Sequence, residues 1–301
     1  MPFRLKKMFS PTKQRAFIFL INELGYTQKE SQRLIANGRL FINGEPMTTP
    51  TAEVEGEFEF VQYEPSTKGL KAFVEEDRFV VFNKPSGVLI HPQNRDTEYS
   101  LVDELKYQFG LDANIAHRID QETSGLVLCA KDKQSEKDLK ALFENRQIEK
   151  KYLALVHGEF EEEMTIEEPL LRREDESAIV RMVVKVHPDG KASKTTIRPL
   201  QYFIDKDMTL VECKPFTGRQ HQIRVHLFHV KHPIVGDPIY GQKEENILRF
   251  LDKEIKLNER IKLGGASRLL LHANELEFSL NEKCYHIISD EDFIETCFKS
   301  M

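Results

Sequence analysis

Tryptophan and cysteine are scarce in this chain, and their scarcity excludes several protein classes. The 301 residues contain no tryptophan and only four cysteines. The cysteines stand 84, 71 and 13 residues apart, so the chain has no CxxC pair to bind zinc or to exchange disulfides. This usage is typical of a reduced compartment, and we predict a cytoplasmic protein.

Long apolar runs are also absent. The N-terminus is basic, and the next apolar run, from Ala16 to Ile21, has only six residues. No run approaches the ~18 residues of a membrane span, so we expect a soluble, unexported protein without a membrane partner. Apolar residues make up 40% and charged residues 31% of the chain, which is typical of a folded protein with about two domains.

The net charge of −6 hides an uneven distribution of charge along the chain. Residues 1–44 carry eight basic and two acidic side chains, a local balance of +6, whereas residues 45–64 carry six glutamates and no lysine or arginine. Because salt screens charges over about 8–10 Å, the local balance decides phosphate binding more than the total does. The N-terminal segment is therefore a candidate for binding a polyanion.

The same segment has a helical pattern. Two sets of apolar residues, Ala16 to Leu24 and Ser31 to Ile35, predict two short amphipathic helices joined near Gly25. Residues 38–44 then indicate a turn, a short strand and an Asn-Gly hairpin. Residues 12–64 thus resemble the alpha-L RNA-binding domain of a ribosomal small-subunit protein and of tyrosyl-tRNA synthetases. The resemblance implies an RNA-binding domain over residues 1–66. Its expected docking cations are Lys13, Arg15, Lys29, Arg33 and Arg39.

A domain boundary follows this segment. The stretch from Glu64 to Gly69 has the composition of a linker, and we place the linker at residues 67–72 and a second domain at residues 73–301. The second domain mixes helical stretches such as Ser135 to Phe143 with β-rich runs such as Ile179 to Val186. Because strands and helices do not alternate regularly, we predict an α+β fold and not a doubly wound sheet.

Two segments of the second domain concentrate chemically capable residues. The first, from His117 to Gly125, places a carboxylate, two potential cations and two hydroxyls just before a strand. Active residues concentrate on such loops, although an exposed turn has a similar composition. The second, from Lys214 to Pro233, contains four cations and four histidines but no acid. Such a surface suits an RNA backbone, because lysine and arginine neutralise phosphates and release counterions.

Neither segment predicts a metal or a nucleotide cofactor. His226, His229 and His232 lack a carboxylate partner and a standard zinc spacing. The segment from Gly236 to Lys243 is similar to a phosphate-binding loop, but Gln242 stands where the lysine should be. We therefore expect no metal and no cofactor of any kind.

The order of motifs resembles that of the RluA-type RNA pseudouridine synthases. Five pieces, spanning about residues 74–278, carry the resemblance. They are Asn83-Lys84-Pro85-Ser86-Gly87 with His91-Pro92, His117-Arg118-Ile119-Asp120 with Thr123-Ser124-Gly125, Arg146 with Lys150, Lys151 and Tyr152, Thr217-Gly218-Arg219 with His221 to His226, and His232-Pro233-Ile234 with Gly236-Asp237 and Tyr240-Gly241. The resemblance implies a pseudouridine synthase fold with a mixed, largely antiparallel sheet. It also implies the reaction, in which uracil is detached from its ribose at N1 and rejoined through C5.

The resemblance further implies roles for individual residues. Asp120 matches the essential aspartate, which can act as a nucleophile at the base or sugar or stabilise charge at C1′. Arg224 is its expected cation, with Arg219 as the alternative, and an arginine fork can hold a carboxylate bidentately. Tyr152 matches the tyrosine whose ring can stack on uracil, and Arg118 matches the residue proposed to assist base flipping or to contact phosphate. The other expected substrate-binding residues are His117, Thr123, Arg219, His221 and Lys84.

The RNA target stays open at the level of sequence. An alpha-L-like domain ahead of this catalytic domain favours large-subunit ribosomal RNA by analogy, with transfer RNA as the alternative. A second alternative is a non-catalytic RNA-binding or assembly protein whose motif residues serve the fold. A third is a nucleoside or glycan hydrolase, which would release a free base or sugar, whereas a synthase releases neither.

Overall fold

The computed structural model describes residues 2–172 and 183–301. The chain forms two compact units, of which the first comprises Met1–Lys68 and Pro92–Asp103 and the second Gly69–His91 and Glu104–Met301. The first unit therefore includes a segment that follows the predicted linker in the sequence. No helix within the described ranges is long and apolar enough to cross a membrane.

The first unit contains two helices and an antiparallel sheet. Its elements are β1 (Phe3–Arg15), α1 (Ala16–Leu24), α2 (Gln28–Ala36), β2 (Leu40–Ile42), β3 (Glu45–Met47) and β4 (Glu53–Tyr63). The strands pair in the order β1-β4-β2-β3. Gly25 ends α1 in the left-handed conformation, and Thr27 and Glu30 form a reciprocal capping box at the start of α2. Asn43 and Gly44, with φ of 52° and 81°, form the predicted hairpin turn.

The second unit contains the larger set of elements. They are β5 (Val74–Glu75), β6 (Phe79–Lys84), α3 (Leu101–Phe109, which begins in the first unit), β7 (Asn114–Ile115), β8 (Ser124–Ala130), α4 (Lys133–Glu144), β9 (Ile148–His157), β10 (Met164–Ile166), β11 (Leu170–Arg172), β12 (Val184–Val186), β13 (Thr195–Phe203), a 3₁₀ turn (Ile204–Lys206), β14 (Met208–Pro215), α5 (Gln222–His229), α6 (Glu244–Leu251), α7 (Leu257–Gly264), β15 (Leu271–Leu280), β16 (Lys283–Ile288) and α8 (Phe293–Ser300). The predicted β-rich run from Ile179 to Val186 is described only in part. Residues 179–182 lie outside the described residues, and Val184–Val186 form β12.

One large sheet organises this unit. Its strands follow the order β10-β13-β14-β9-β15-β8-β6-β5, with β16 paired to β15 and β7 paired to β8. Among the strand pairs of the described residues, β15 with β8 is parallel and the others are antiparallel. The prediction of an α+β fold on a mixed, largely antiparallel sheet is therefore confirmed.

The central strand β8 fixes the loop that precedes it. All seven of its residues are buried, so the strand is held from both faces of the sheet. Gly125 adopts φ +109°, and a Cβ at this position would lie 2.3 Å from the carbonyl oxygen of Ala273 on β15. Only glycine permits this approach of two backbones, and the approach fixes the point at which the preceding loop, residues 116–123, enters the sheet beside β15.

Candidate active site

The loop between β7 and β8 carries Asp120 and is held by backbone hydrogen bonds. The Gly87 N–H donates to the carbonyl oxygen of Gln121 at 2.8 Å, and the Thr123 N–H donates to the carbonyl oxygen of Asp120 at 3.2 Å. The loop is thus tied both to itself and to the turn that follows β6. The Asp120 side chain keeps 25% exposure, which leaves its carboxylate accessible to a substrate.

Lys84 supports this loop from inside the protein. Its buried ammonium donates to the carbonyl oxygens of Pro85, Val88 and Gln121 at 2.9, 2.9 and 3.0 Å. Burial lowers the pKa of the Lys84 ammonium to about 7, although two nearby carboxylates oppose this. We had expected Lys84 to bind substrate, but a side chain with no exposed surface and three carbonyl partners cannot do so. Its contact with Gln121 makes it a support of the Asp120 loop.

Arg224 lies on α5, whose residues Gln222 to Leu227 are all buried. Its Nη1 is 3.2 Å from Asp120 Oδ2, while its Nε and Nη2 donate to the two oxygens of Asp237 at 2.8 Å each. Burial disfavours the charged guanidinium, but the carboxylates of Asp237 and Asp120 outweigh burial and raise the pKa of Arg224. The bidentate fork that we expected on Asp120 is formed with Asp237, because two carboxylates share one guanidinium.

Asp237 is a residue of the last motif to which the sequence assigned no role. Its side chain is fully buried, and besides binding Arg224 its Oδ1 accepts the backbone N–H groups of Ile239 and Tyr240 at 2.8 and 3.0 Å. It therefore fixes the direction in which Arg224 presents its remaining nitrogen to Asp120. The Gly-Asp pair in the last motif was the available signal.

His221 and Tyr240 complete the polar surroundings of Asp120. His221 Nε2 lies 3.8 Å from Asp120 Oδ2, and its Nδ1 is 2.9 Å from the Tyr240 hydroxyl, which accepts the Val184 N–H at 3.1 Å. Burial, and then the charge of Arg224, lower the pKa of His221 to about 4. The imidazole is therefore neutral near pH 7, and Arg224 supplies the positive charge beside Asp120.

Tyr152 projects from β9 into the same region. Its side chain is buried, and burial together with the Asp120 charge raises the pKa of its phenol. The phenol is thus protonated at neutral pH, so it can donate a hydrogen bond while its ring offers an apolar face.

Asp120, Tyr152, His221 and Arg224 line one cleft that opens to solvent, with a cavity volume of about 90 Å³. The predicted site residues that it brings together are Arg118, Asp120, Thr123, Tyr152, Arg219, His221 and Arg224. Arg219 lies at the cleft but donates its Nε–H to the carbonyl oxygen of Ala192 at 3.1 Å, whereas Arg224 contacts Asp120. Arg118 and Arg219 are the exposed cations of this lining.

His117 is not among the lining residues. Its Nε2 accepts the Leu128 N–H at 3.0 Å, and its ring lies 4.6 Å from the ring of Phe143. Burial, with a smaller effect of Lys150, lowers the pKa of His117 to about 3. We had expected it to bind substrate, but a neutral ring that is bonded to the backbone of β8 supports the loop instead.

Helix α7 contacts both loops of the site. Arg260 Nη2 donates to Glu122 Oε2 at 2.5 Å, and the two side chains are only 17% and 15% exposed. At the end of the same helix, the carbonyl oxygen of Gly264 accepts the Gly236 N–H at 2.7 Å, one residue before Asp237. The helix is therefore bonded both to the loop of Asp120 and to the loop that holds Arg224.

The predicted docking cations of the first unit differ in their surroundings. Lys13 forms an ion pair with Glu53 at 2.9 Å, and the guanidinium of the half-buried Arg39 lies 5.0 Å from the ring centre of Phe3. The remaining three, Arg15, Lys29 and Arg33, are exposed.

Among the described residues, one group of side chains could hold a metal ion. It consists of Glu275, Glu277 and His286, and none of these lines the cleft. Glu275 already pairs with Lys151 at 2.7 Å and with His286 at 2.8 Å. The absence of a metal cofactor stays a prediction.

Comparisons with known proteins agree with this geometry. A family model described as RNA pseudouridylate synthase matches residues 78–229. An uncharacterized RNA pseudouridine synthase of Helicobacter pylori is 38% identical over 94% of this chain and 92% of its own length. The ribosomal large subunit pseudouridine synthase C of Vibrio cholerae is 31% identical over 88% of this chain and 85% of its own. The solved structure of human RNA pseudouridylate synthase domain containing 1 has a TM-score of 0.59 and 26% identity, covering 78% of this chain and 89% of that one.

The cleft and these matches define an enzyme that modifies RNA. The chain belongs to the RluA-type RNA pseudouridine synthase family. The predicted activity and the pseudouridine synthase fold are therefore confirmed, and the non-catalytic and hydrolase alternatives lose their support.

Proposed function

We propose that this enzyme converts uridine to pseudouridine in large-subunit ribosomal RNA, with Asp120 as the catalytic residue. The observation that carries the assignment of Asp120 is its position in the cleft, where its carboxylate is 3.2 Å from the buried, permanently charged Arg224. A relative that covers most of the chain is named for the ribosomal large subunit, which supports the RNA class. Transfer RNA is the alternative substrate.

In this proposal the target uridine leaves its stack, which costs a few kcal/mol, and enters the cleft. The exposed Arg118 occupies the vacated position or contacts the neighbouring phosphate. The bond between N1 and C1′ breaks, uracil turns, and a bond forms between C5 and C1′. The proton on C5 leaves and N1 gains one, so the composition of the RNA does not change.

Asp120 acts at the step in which C1′ loses the base, as a nucleophile or by stabilising positive charge. Arg224 directs the carboxylate, because its guanidinium is held by Asp237 and lies 3.2 Å from Asp120 Oδ2. Tyr152 packs its ring on uracil and donates a hydrogen bond with its protonated hydroxyl. Thr123, Arg219 and His221 line the substrate space.

The test is tritium release from RNA labelled at uracil C5, with unmodified large-subunit ribosomal RNA and mixed tRNA transcripts in parallel. The wild type should release tritium from the ribosomal transcript, and Asp120→Asn should lower the rate by at least about 10³-fold. Asp112→Asn is the matched control, because Asp112 is exposed and pairs with the exposed Lys133. Release by Asp120→Asn at the wild-type rate would contradict the assignment, and release from tRNA alone would change the substrate class.

For the first unit, we propose that its exposed cations dock the RNA. A Lys29→Gln/Arg33→Gln variant should bind the ribosomal transcript more weakly, and the slope of log Kd against log [KCl] should fall by about 1 for each lost phosphate contact. An unchanged slope would refute the docking role. We also propose a cytoplasmic location, which the four free cysteines support.

A further inference from the structure

Lys150 is a cation of the cleft to which neither the sequence nor the comparisons assign a role. It lies on β9 two residues before Tyr152, and alternate residues of a strand share one face, so both side chains reach the lining of the cleft. Lys151 points to the opposite face, where its ammonium pairs with Glu275 at 2.7 Å. The strand therefore separates two adjacent lysines into a cleft residue and a surface ion pair.

Lys150 lacks the carboxylate that its neighbours have. Lys214 on the adjacent strand β14 pairs with Glu149 at 2.6 Å, as Lys151 does with Glu275. The Lys150 side chain makes no ion pair or hydrogen bond with any residue of the described ranges, and its ammonium lies 5.8 Å from the ring centre of Phe143. The side chain is nevertheless half-buried.

Burying a cation without a partner is unfavourable, because the ammonium loses water and gains no opposite charge. Burial accordingly lowers the pKa of Lys150. Such an unpaired buried cation is favourable where a bound ligand supplies the opposite charge. The ligand of this cleft is RNA, and its anionic group is the phosphodiester.

We propose that Lys150 binds the phosphate of the nucleotide whose uracil occupies the cleft. The inference rests on the proposed function, which places uracil against Tyr152 beside Asp120. Residues two apart on a strand are separated by about 6.6 Å, which is comparable to the span from base to phosphate within one nucleotide. Lys150 thus anchors the backbone of the flipped nucleotide while Tyr152 contacts its base.

The experiment measures Kd for an unmodified large-subunit ribosomal RNA transcript by filter binding at several KCl concentrations. All proteins carry Asp120→Asn, so that no turnover occurs during binding. Lys150→Met should weaken binding and lower the slope of log Kd against log [KCl] by about 0.7–0.9, so that at 50 mM its loss of affinity exceeds that at 200 mM by about threefold. Lys150→Arg should keep the parental slope, because it retains the charge.

Lys151→Met is the matched control and should also keep the parental slope, because its ammonium faces away from the cleft. Without RNA, Lys150→Met should melt no lower than the parent, because it removes an unpaired cation from a half-buried position. A parental slope in Lys150→Met, or an equal drop in Lys151→Met, overturns the inference. Activity of the wild type is a separate readout: a failure of the wild type to release tritium from this transcript would refute the proposed function and not the role of Lys150 in binding.

Discussion

Replacing Asp237 by asparagine tests whether this buried carboxylate sets the geometry of the active site. The change removes the negative charge that Arg224 binds through two hydrogen bonds of 2.8 Å. The guanidinium is then left at 2% side-chain exposure with Asp120, 3.2 Å away, as its only ion-pair partner within the described part of the chain. The amide oxygen of asparagine can still accept the backbone N–H groups of Ile239 and Tyr240.

The expected cost follows from the burial of both partners. Removing one member of a buried ion pair destabilises a protein by about 3–5 kcal/mol, and the lower end applies here because asparagine keeps the backbone contacts. For a unit of this size, about 3 kcal/mol corresponds to a decrease in Tm of roughly 6–12 °C. The rate below Tm should fall by about 100-fold, because Arg224 no longer holds Asp120 in position.

Urea unfolding measures the first effect, and tritium release at 20 °C measures the second. A second variant, Arg224→Met/Asp237→Asn, separates them. It should regain part of the lost stability, because no uncompensated charge stays buried, yet it should remain inactive, because Asp120 has lost its cation. A loss below about 1 kcal/mol in Asp237→Asn, or activity in the double variant, would refute the reasoning.

Three further predictions concern the surroundings of the site. Arg260→Gln should lower kcat by about tenfold with little change in KM, because Glu122 in the loop of Asp120 loses its partner. Gly125→Ala should cost more than about 3 kcal/mol, because a Cβ would lie 2.3 Å from the Ala273 carbonyl oxygen. The free energy of unfolding should decrease as pH falls from about 6.5 to about 4, because in this range His221 is protonated in the unfolded chain but not in the folded state. Each histidine of this kind contributes a slope of about 1.4 kcal/mol per pH unit.

Each of these has a defined control or contradicting result. Arg249→Gln breaks an exposed pair with Glu259 between α6 and α7 and should leave kcat unchanged. At Gly87 an added Cβ would have no atom within 4 Å, although φ is +85°. Gly87→Ala should therefore lower the free energy of unfolding by only about 1–2 kcal/mol. For the pH effect, His221→Gln should reduce the slope of the unfolding free energy against pH by the contribution of one histidine. An unaltered slope would contradict the assignment of the effect to His221.

Features that depend on local pattern were predictable from the sequence. Apolar spacing and a glycine break predicted α1 and α2, and the structure adds only that Thr27 caps the second helix. The hairpin at Asn43-Gly44 and the helix α4 also follow from local signals. Strand β1 was not predicted, because only Ser10 of its thirteen residues is buried and its stability comes from pairing with β4, which the local pattern does not reveal.

Contacts between segments that are distant in sequence could be predicted only from the order of the family motifs. Arg224 and Asp120 are 104 residues apart, and family resemblance, not spacing, favoured their pairing. The same motifs could not show that Asp237 takes the fork of Arg224, because a sequence does not rank two carboxylates by burial. Nor could they show that Lys84 points inward, since a lysine beside a proline turn is usually exposed.

The first unit is not continuous in sequence, and this affects the order in which it can be completed during synthesis. The Tyr63 hydroxyl donates to Asp103 Oδ1 at 2.6 Å, and Arg95 donates to the carbonyl oxygens of Asn37 and Gly38 at 2.6 and 2.9 Å. Residues 1–68 are therefore synthesised before these partners exist. At about 5–20 residues per second, the nascent unit waits roughly 2–7 s for residue 103. Until then the carbonyl oxygens of Asn37 and Gly38 and the Tyr63 hydroxyl lack these partners, so a chain truncated after residue 68 should form an incompletely folded module.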